Sequence, residues 1–253
     1  MMMASSSVQA TALARLLQPD ETAQDMVRRC GLSALTSRFP SSGLPLLDGM
    51  LESIPVLPSG SSHVLEIEGE SGTGKSFILL SIAARAAQAG GIVFYFDLDL
   101  HFSPRRLSRL LPSHIHQENV FIINVKTPQE MLAAIHMIET FEKGCVRLVI
   151  IDSLLAMFQM CAPTDPLAAG FPVNIPKVLF DLASRVGFVV IAAKPRVPFE
   201  IVSKTWSQRV TIRLNLDSKG RASVEAFGKF QDSITMNAVT CIHLGDFEFN
   251  IIA

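Results

Sequence analysis

The sequence predicts an α/β protein with a mostly parallel, twisted sheet flanked by helices, and three features point to this fold class. A glycine-rich loop at residues 69–76 lies between a strand-like segment and the start of an apolar helix. Between residues 92 and 193, apolar strands and amphipathic helices alternate, which is typical of parallel strands joined by helices. From about residue 210 onward short alternating strands follow, and they predict antiparallel C-terminal strands at the edge of the sheet.

The N-terminal region differs from the rest of the chain. Short helical segments are predicted at residues 11–17 and 21–30, and a Pro/Ser/Gly-rich passage at residues 39–62 leads into the first strand. We therefore expect residues 1–40 to be a short N-terminal helical segment and linker. Residues 41–253 are expected to form one core domain, because a chain of 253 residues with 49% hydrophobic and 18% charged side chains can bury a large core.

The elements of the core follow from hydrophobic periodicity. The apolar run 92–96 is continuous, so it is expected to be a strand buried on both faces. The predicted strands of the parallel part are residues 63–68, 92–96, 121–125, 147–151 and 188–193. The predicted helices are residues 77–88, 128–142 and 178–185. Antiparallel strands are expected at residues 210–214 and 224–230 around a turn at 217–220, with further short strands within 240–252.

Hydropathy and cysteine placement limit the class of protein. The mean hydropathy of +0.35 is high, yet every long apolar run contains a charge, so no membrane span is predicted. The surplus of apolar side chains indicates a partner interface. Residues 1–9 lack the cationic start and the apolar run of a secretion signal, so secretion is not expected. The four cysteines are scattered, which predicts reduced, structural thiols.

Charge is unevenly spread along the chain. Residues 194–229 carry eight basic side chains against three acidic ones, a local charge of +5 in a chain whose net charge is −1. One interpretation is a face that meets nucleic-acid phosphates. The other is a solvated hairpin, and the sequence leaves both open.

The loop at residues 69–76 has the pattern G-x-x-x-x-G-K-[ST], which predicts a binding site for a nucleoside triphosphate and Mg²⁺. Its glycines let successive N–H groups point at phosphate oxygens, Lys75 neutralises the β and γ phosphates, and Ser76 supplies a hard oxygen ligand for Mg²⁺. An incidental glycine-rich turn is the alternative. The predicted cofactor-binding residues of the loop are Gly69, Glu70, Ser71, Gly72, Thr73, Gly74, Lys75 and Ser76.

Carboxylates follow two of the predicted central strands. Asp152 ends the apolar run 148–151, at the carboxyl edge of the sheet where ligands of such sheets bind, and we expect it to organise Mg²⁺. Capping of the following helix is the alternative for Asp152. Asp97 and Asp99 follow another strand, and either can orient an attacking water as a general base. Both can equally be turn residues.

Two longer segments resemble the RecA recombinase superfamily and, more narrowly, the eukaryotic recombinase paralogues of homologous recombination. Residues 42–48, Ser-Gly-Leu-Pro-Leu-Leu-Asp, are similar to the T-G-x-x-x-L-D segment of that family. Residues 96–107 resemble its I-D-T-E-x-x-F-x-P-E-R-L segment. The resemblance covers about residues 42–230. It implies a RecA-like P-loop NTPase core that binds ATP and Mg²⁺, with Asp99 in the place of the catalytic glutamate, Asp152 in the magnesium shell and Arg106 near the adenine.

The chain departs from this family at functional positions. Asp99 is one methylene shorter than glutamate, which implies slow hydrolysis. Ala193 and Lys194 stand where the family has an Asn-Gln pair, so the glutamine that senses the γ phosphate is missing. The loop 195–203 is short, and residues 159–176 contain no basic side chain, which argues against strong DNA binding by these loops alone.

The resemblance implies an ATP-binding recombinase paralogue that assists homologous recombination and DNA double-strand break repair in the nucleus. Its expected partners are the recombinase and other paralogue subunits in a hetero-oligomer, and single-stranded or branched DNA bound through that complex. Weak DNA-dependent ATP hydrolysis is left open, with Asp99 and Lys75 as the catalytic candidates. The alternatives are a stand-alone DNA-stimulated ATPase and a P-loop kinase, although a kinase would need an arginine-rich lid, which does not follow Asp152.

Overall fold

The computed structural model describes residues 39–43, 48–49, 62–111, 114–142, 144–161, 174–196, 203–218, 221–226 and 242–243. In chain order the described elements are β1 Val64–Gly69, α1 Lys75–Gln88, β2 Ile92–Asp97, α2 Pro104–Leu110, α3 His114–Gln117, β3 Val120–Ile123, α4 Pro128–Ile138, β4 Val146–Asp152, α5 Leu154–Cys161, α6 Ile175–Val186, β5 Val189–Pro195, α7 Lys204–Ser207, β6 Ile212–Leu216, β7 Arg221–Ala226 and β8 Ile242–His243.

The described strands form one eight-stranded sheet in the order β3-β2-β4-β5-β1-β6-β7-β8. Strands β1 to β6 pair in parallel, whereas β6 with β7 and β7 with β8 pair antiparallel. The predicted α/β class, with a mostly parallel sheet and antiparallel C-terminal strands, is therefore confirmed. This order brings the carboxyl ends of β1, β2 and β4 to one edge of the sheet.

Alternate side chains of the central strands enter two separate cores, because successive residues of a strand face opposite sides of the sheet. Leu65 and Ile67 of β1 pack under α1. Val64 of the same strand belongs to the core on the other face, with α4, α5 and α6. Both faces of the parallel strands are thus covered, as this class of sheet requires.

Local signals account for where the helices begin and end. Ser103, Thr127 and Asn174 each accept a hydrogen bond from a backbone N–H of the first helical turn, and each is followed within two positions by a proline. Gly187 ends α6 with φ 92°, a left-handed conformation that favours glycine. Gly74 begins α1 with φ 90°. None of the helices in the described parts of the chain is both long and apolar enough to cross a bilayer.

The observed elements differ from the predicted ones mainly by additions. The helices α2, α3, α5 and α7 were not predicted, because each is short and gives no clear period of its own. Helix α4 ends at Ile138, four residues before the predicted end. The predicted helices within residues 11–30, most of the residue 159–176 loop and the 217–220 turn in part lie outside the described residues. The division at residue 40 therefore stays a prediction.

Candidate nucleotide-binding site

The glycine-rich loop joins β1 to α1 at the carboxyl edge of the sheet. Gly72 and Gly74 have φ values of 82° and 90°, which side chains with a Cβ rarely adopt. At Gly69 the constraint is space instead, since an added Cβ would lie 2.9 Å from the carbonyl oxygen of Leu216. The Thr73 hydroxyl donates to the Glu70 carbonyl at 2.9 Å and closes the loop on itself. The sequence pattern thus folds into the strand, loop and helix order that phosphate binding requires.

The ammonium group of Lys75 lies against the backbone of its own loop. Its Nζ donates to the carbonyl oxygens of Gly69 at 2.8 Å and Glu70 at 2.6 Å. Burial lowers the pKa of this amine, and the nearby carboxylate of Asp152 opposes that effect. A phosphate ligand would compete with these two carbonyls for the same three ammonium protons.

The carboxylate of Asp152 lies at the end of β4 and is 7% exposed. It accepts a hydrogen bond from the hydroxyl group of Tyr95, at 2.7 Å to Oδ2, and the hydroxyl group of Ser76 lies nearby. Burial raises the pKa of this carboxyl, the two hydroxyl groups oppose that rise, and the negative charges of Asp99 and Asp97 add to it. The backbone carbonyl of Asp152 accepts from the N–H of Leu98 at 2.7 Å, which links the ends of β4 and β2.

Asp97 and Asp99 have different surroundings. Asp97 is buried, and its two carboxylate oxygens accept from the N–H groups of His101 at 2.9 Å and Phe102 at 3.1 Å. These bonds hold the turn around Leu100, which has φ 58° and a 62% exposed side chain. Asp97 therefore has the structural role that the sequence left open for it. Asp99 is exposed, and it is close enough to Asp152 to raise the pKa of that carboxyl.

The remaining predicted site residue is Arg106, in the first turn of α2. Its side chain is exposed, and its backbone N–H donates to the Ser103 hydroxyl at 3.4 Å. The structure thus gathers Lys75, Ser76 and Asp152 at one edge of the sheet. The roles assigned to these residues, and those of Asp99 and Arg106, stay predictions.

The residues present fit a magnesium–nucleotide complex. Magnesium is usually held by one or two protein oxygens together with substrate phosphates and water, and not by a cage of protein ligands. The Ser76 hydroxyl and the nearby Asp152 carboxylate supply such oxygens. Within the residues that the structure describes, no group of three or more His, Cys, Asp or Glu side chains could hold a metal ion.

A network of buried charges behind the loop was not predicted. Glu66 of β1 is 1% exposed and accepts from Arg213 Nε at 2.7 Å and from Trp206 Nε1 at 2.9 Å. Glu68 lies 3.0 Å from the ammonium of Lys194. Burial raises the pKa of the Glu68 carboxyl, but the neighbouring cations outweigh burial and hold that pKa below its usual value.

This network changes the interpretation of the basic segment 194–229. Lys194, Arg196 and Arg213 all lie within 4 Å of Glu66 or Glu68 carboxylate oxygens. Lys194 and Arg213 lie beside the buried Glu66, so neither a nucleic-acid face nor a solvated hairpin accounts for these two side chains, whereas Arg196 is 47% exposed. A sequence signal was present, because acids at alternate positions of a central parallel strand are buried on that face and need partners.

Comparison with known proteins gives one match that bears on the family. The chain is 29% identical over 128 residues to a protein named Protein RecA from Chlorobium chlorochromatii (strain CaD3). The aligned part is 50% of this chain and 34% of that protein, so the chain spans about a third of the length of this curated relative. No family model matches. The similarity supports a relationship to the RecA-like superfamily. With the observed sheet, it is consistent with a RecA-like core.

Proposed function

We propose that this chain is an ATP-binding recombinase paralogue that assists homologous recombination and DNA double-strand break repair. In this proposal it acts in the nucleus, in a complex with other recombinase-like subunits, on recombinase filaments. One observation carries the nucleotide part: the glycine-rich loop after β1 lies at the same edge of the sheet as the Asp152 carboxylate at the end of β4, close enough for that carboxylate to act on the pKa of Lys75. The similarity to Protein RecA supports the recombination part.

Different residues of the loop would bind different groups of the magnesium–ATP complex. The N–H groups around Gly72 and Gly74 would hold the phosphates, and Lys75 would supply the positive charge. Ser76 and Asp152 would hold Mg²⁺, which neutralises charge on the β and γ phosphates when it is bound.

We propose that ATP acts here more as an assembly switch than as a fuel. The candidate general base, Asp99, is exposed and has a short side chain. Lys194, at the position of the γ-phosphate sensor in the resembled family, is 15% exposed and is engaged by Glu68. A triphosphate can still order the residues around Lys75, and a neighbouring subunit can respond to that order.

DNA contact is proposed to occur mainly through the complex. Two cations of the basic segment, Lys194 and Arg213, are paired with Glu66 and Glu68, so their use against DNA phosphates would leave those acids without partners.

Nucleotide binding is tested with Lys75→Ala and a matched control. The affinity of the purified chain for a fluorescent ATP analogue is measured for both variants, with Lys177→Ala as control because Lys177 is a 67% exposed lysine of α6. We expect a loss of about tenfold or more for Lys75→Ala, the equivalent of one charge-assisted hydrogen bond, and no change for Lys177→Ala. Equal affinities of the two variants would refute the pocket.

The switch is tested with Asp99→Asn. Cells that carry Asp99→Asn are expected to repair double-strand breaks normally, whereas Lys75→Ala cells fail, and a pull-down after DNA damage is expected to recover recombinase subunits. Turnover of ATP by the pure chain, with and without single-stranded DNA, separates this proposal from a stand-alone ATPase. Rapid turnover that single-stranded DNA stimulates and Asp99→Asn abolishes would favour the stand-alone enzyme.

A further inference from the structure

Tyr95 is a buried tyrosine whose hydroxyl group faces the nucleotide-binding edge of the sheet. It is 1% exposed and is the only tyrosine in the sequence. Its Oη donates to Asp152 Oδ2 at 2.7 Å, the short distance of a hydrogen bond to a charged acceptor. A buried phenol needs a partner of this kind, and here the partner is the proposed magnesium acid.

The register of the sheet explains how the two side chains meet. Tyr95 of β2 is paired with Ile150 of β4, and Asp152 follows two residues later on the same face of β4. The tyrosine ring spans the distance between these positions, and Phe102 packs edge-on against it with ring centroids 5.3 Å apart. The hydroxyl is therefore held by a ring that is itself held in place.

Tyr95 also limits the orientations that the carboxylate can adopt. Its hydroxyl group donates to Oδ2, one of the two carboxylate oxygens of Asp152, so rotation of the carboxylate would break a buried hydrogen bond.

We propose that Tyr95 is a positioning residue that holds the Asp152 carboxylate in the orientation needed for binding of the magnesium–nucleotide complex. This inference rests on the proposed function, because it needs Asp152 to act in the magnesium shell. Magnesium demands near-ideal octahedral geometry, so a carboxylate that can rotate is a poorer ligand or water acceptor. Tyr95 acts through Asp152 and does not touch the nucleotide itself.

The test is the magnesium dependence of ATP binding in Tyr95→Phe, which removes the hydroxyl and keeps the ring. The fluorescent ATP analogue is titrated at a series of free Mg²⁺ concentrations and also in EDTA. We expect the Mg²⁺ concentration for half-maximal stimulation of binding to rise about tenfold, while affinity in EDTA changes less than about twofold. An unchanged Mg²⁺ requirement would overturn the inference.

Two further variants separate positioning from packing. Phe102→Leu disturbs the ring contact and leaves the hydroxyl, so a smaller rise in the Mg²⁺ requirement than that of Tyr95→Phe is expected. In an Asp152→Asn background, Tyr95→Phe is expected to cause no additional change, because the residue through which it acts is already altered. A full additional effect in that background would also overturn the inference.

A direct readout is available because Tyr95 is the single tyrosine. Incorporation of 3-fluorotyrosine gives one ¹⁹F resonance, which is expected to shift when Mg²⁺ is added to the ATP-bound protein and to stay in place in Asp152→Asn. If the resonance of the unmodified chain does not shift when Mg²⁺ is added, the proposed link between Tyr95 and magnesium binding is wrong. Failure of the proposed function gives a different result, since Lys75→Ala would then bind ATP as well as the unmodified chain.

Discussion

Arg213 is expected to be a main determinant of the stability of this fold, although it lies in a segment that looks like a basic surface. The perturbation is Arg213→Met, which keeps most of the length of the side chain and removes the charge. It leaves Glu66, which is 1% exposed, without the guanidinium that lies 2.7 Å from its Oε1. Glu66 would keep its bond from Trp206 and the ammonium of Lys194 at 3.6 Å.

The expected loss follows from this geometry. Removal of one partner of a buried ion pair costs about 3–5 kcal/mol, because an uncompensated charge stays buried. Since two donors remain near Glu66, we expect the lower end, about 3 kcal/mol. In a chain of this size, such a loss lowers the melting temperature by about 6–12 °C. The control is Lys177→Met, which breaks a 3.0 Å pair with Asp181 whose side chains are 67% and 51% exposed, and it should cost no more than about 0.5 kcal/mol.

The assay is urea unfolding of the purified chain, followed by far-UV circular dichroism and by fluorescence. Trp206 is the only tryptophan, and its indole donates to Glu66, so its emission reports on the network itself. The double variant Arg213→Met/Glu66→Gln should recover most of the loss, because it removes the buried charge as well. If Arg213→Met and Lys177→Met destabilise the chain equally, the reasoning from burial is wrong.

Two further predictions concern His63 and Gly69, at the two ends of β1. Burial lowers the pKa of the His63 imidazole to about 4, below its value of 6.5 in the unfolded chain. The neutral imidazole therefore makes its full contribution to the free energy of unfolding above pH 6.5, and this contribution is lost as the pH falls through 4. When the pH is lowered from 7.5 to 5.5, the free energy of unfolding in urea should fall by about 1.3 kcal/mol in the unmodified chain and not in His63→Leu. Equal losses in the two proteins would contradict the assignment to His63. Gly69→Ala should cost about 1–3 kcal/mol in a thermal melt, because its Cβ would lie 2.9 Å from the Leu216 carbonyl oxygen. Gly49→Ala, where a Cβ meets nothing within 4 Å, should be neutral, and equal melting temperatures would refute the steric argument.

Local patterns predicted the elements that have a long, clear period. The strand at residues 92–96 is found as Ile92–Asp97, one residue longer, and the helix at residues 178–185 is found as Ile175–Val186, four residues longer. The short helix Pro104–Leu110 was missed, although Ser103 and Pro104 mark its start. Short helices of this kind are stabilised mostly by the surface they pack on, which a local pattern does not contain.

The candidate site was predictable in its parts and not in its arrangement. Lys75 and Ser76 belong to one contiguous motif, so the sequence identified them together. Asp152 was named from its place after an apolar strand. Tyr95 was taken only as part of a buried strand, because nothing local reveals that its hydroxyl reaches the neighbouring strand's acid.

The sequence by itself determined the class of fold, the phosphate-loop pattern and the acid at the end of β4, because each depends on residues close together in the chain. Only the tertiary structure decided which charges meet. Arg213 and Glu66 are 147 positions apart and touch because β6 pairs with β1 in one register, with Arg213 opposite Glu66. A shift of one residue would turn each side chain to the other face of the sheet. Pairing of buried charges is therefore a property of strand order and register, and no local pattern carries it.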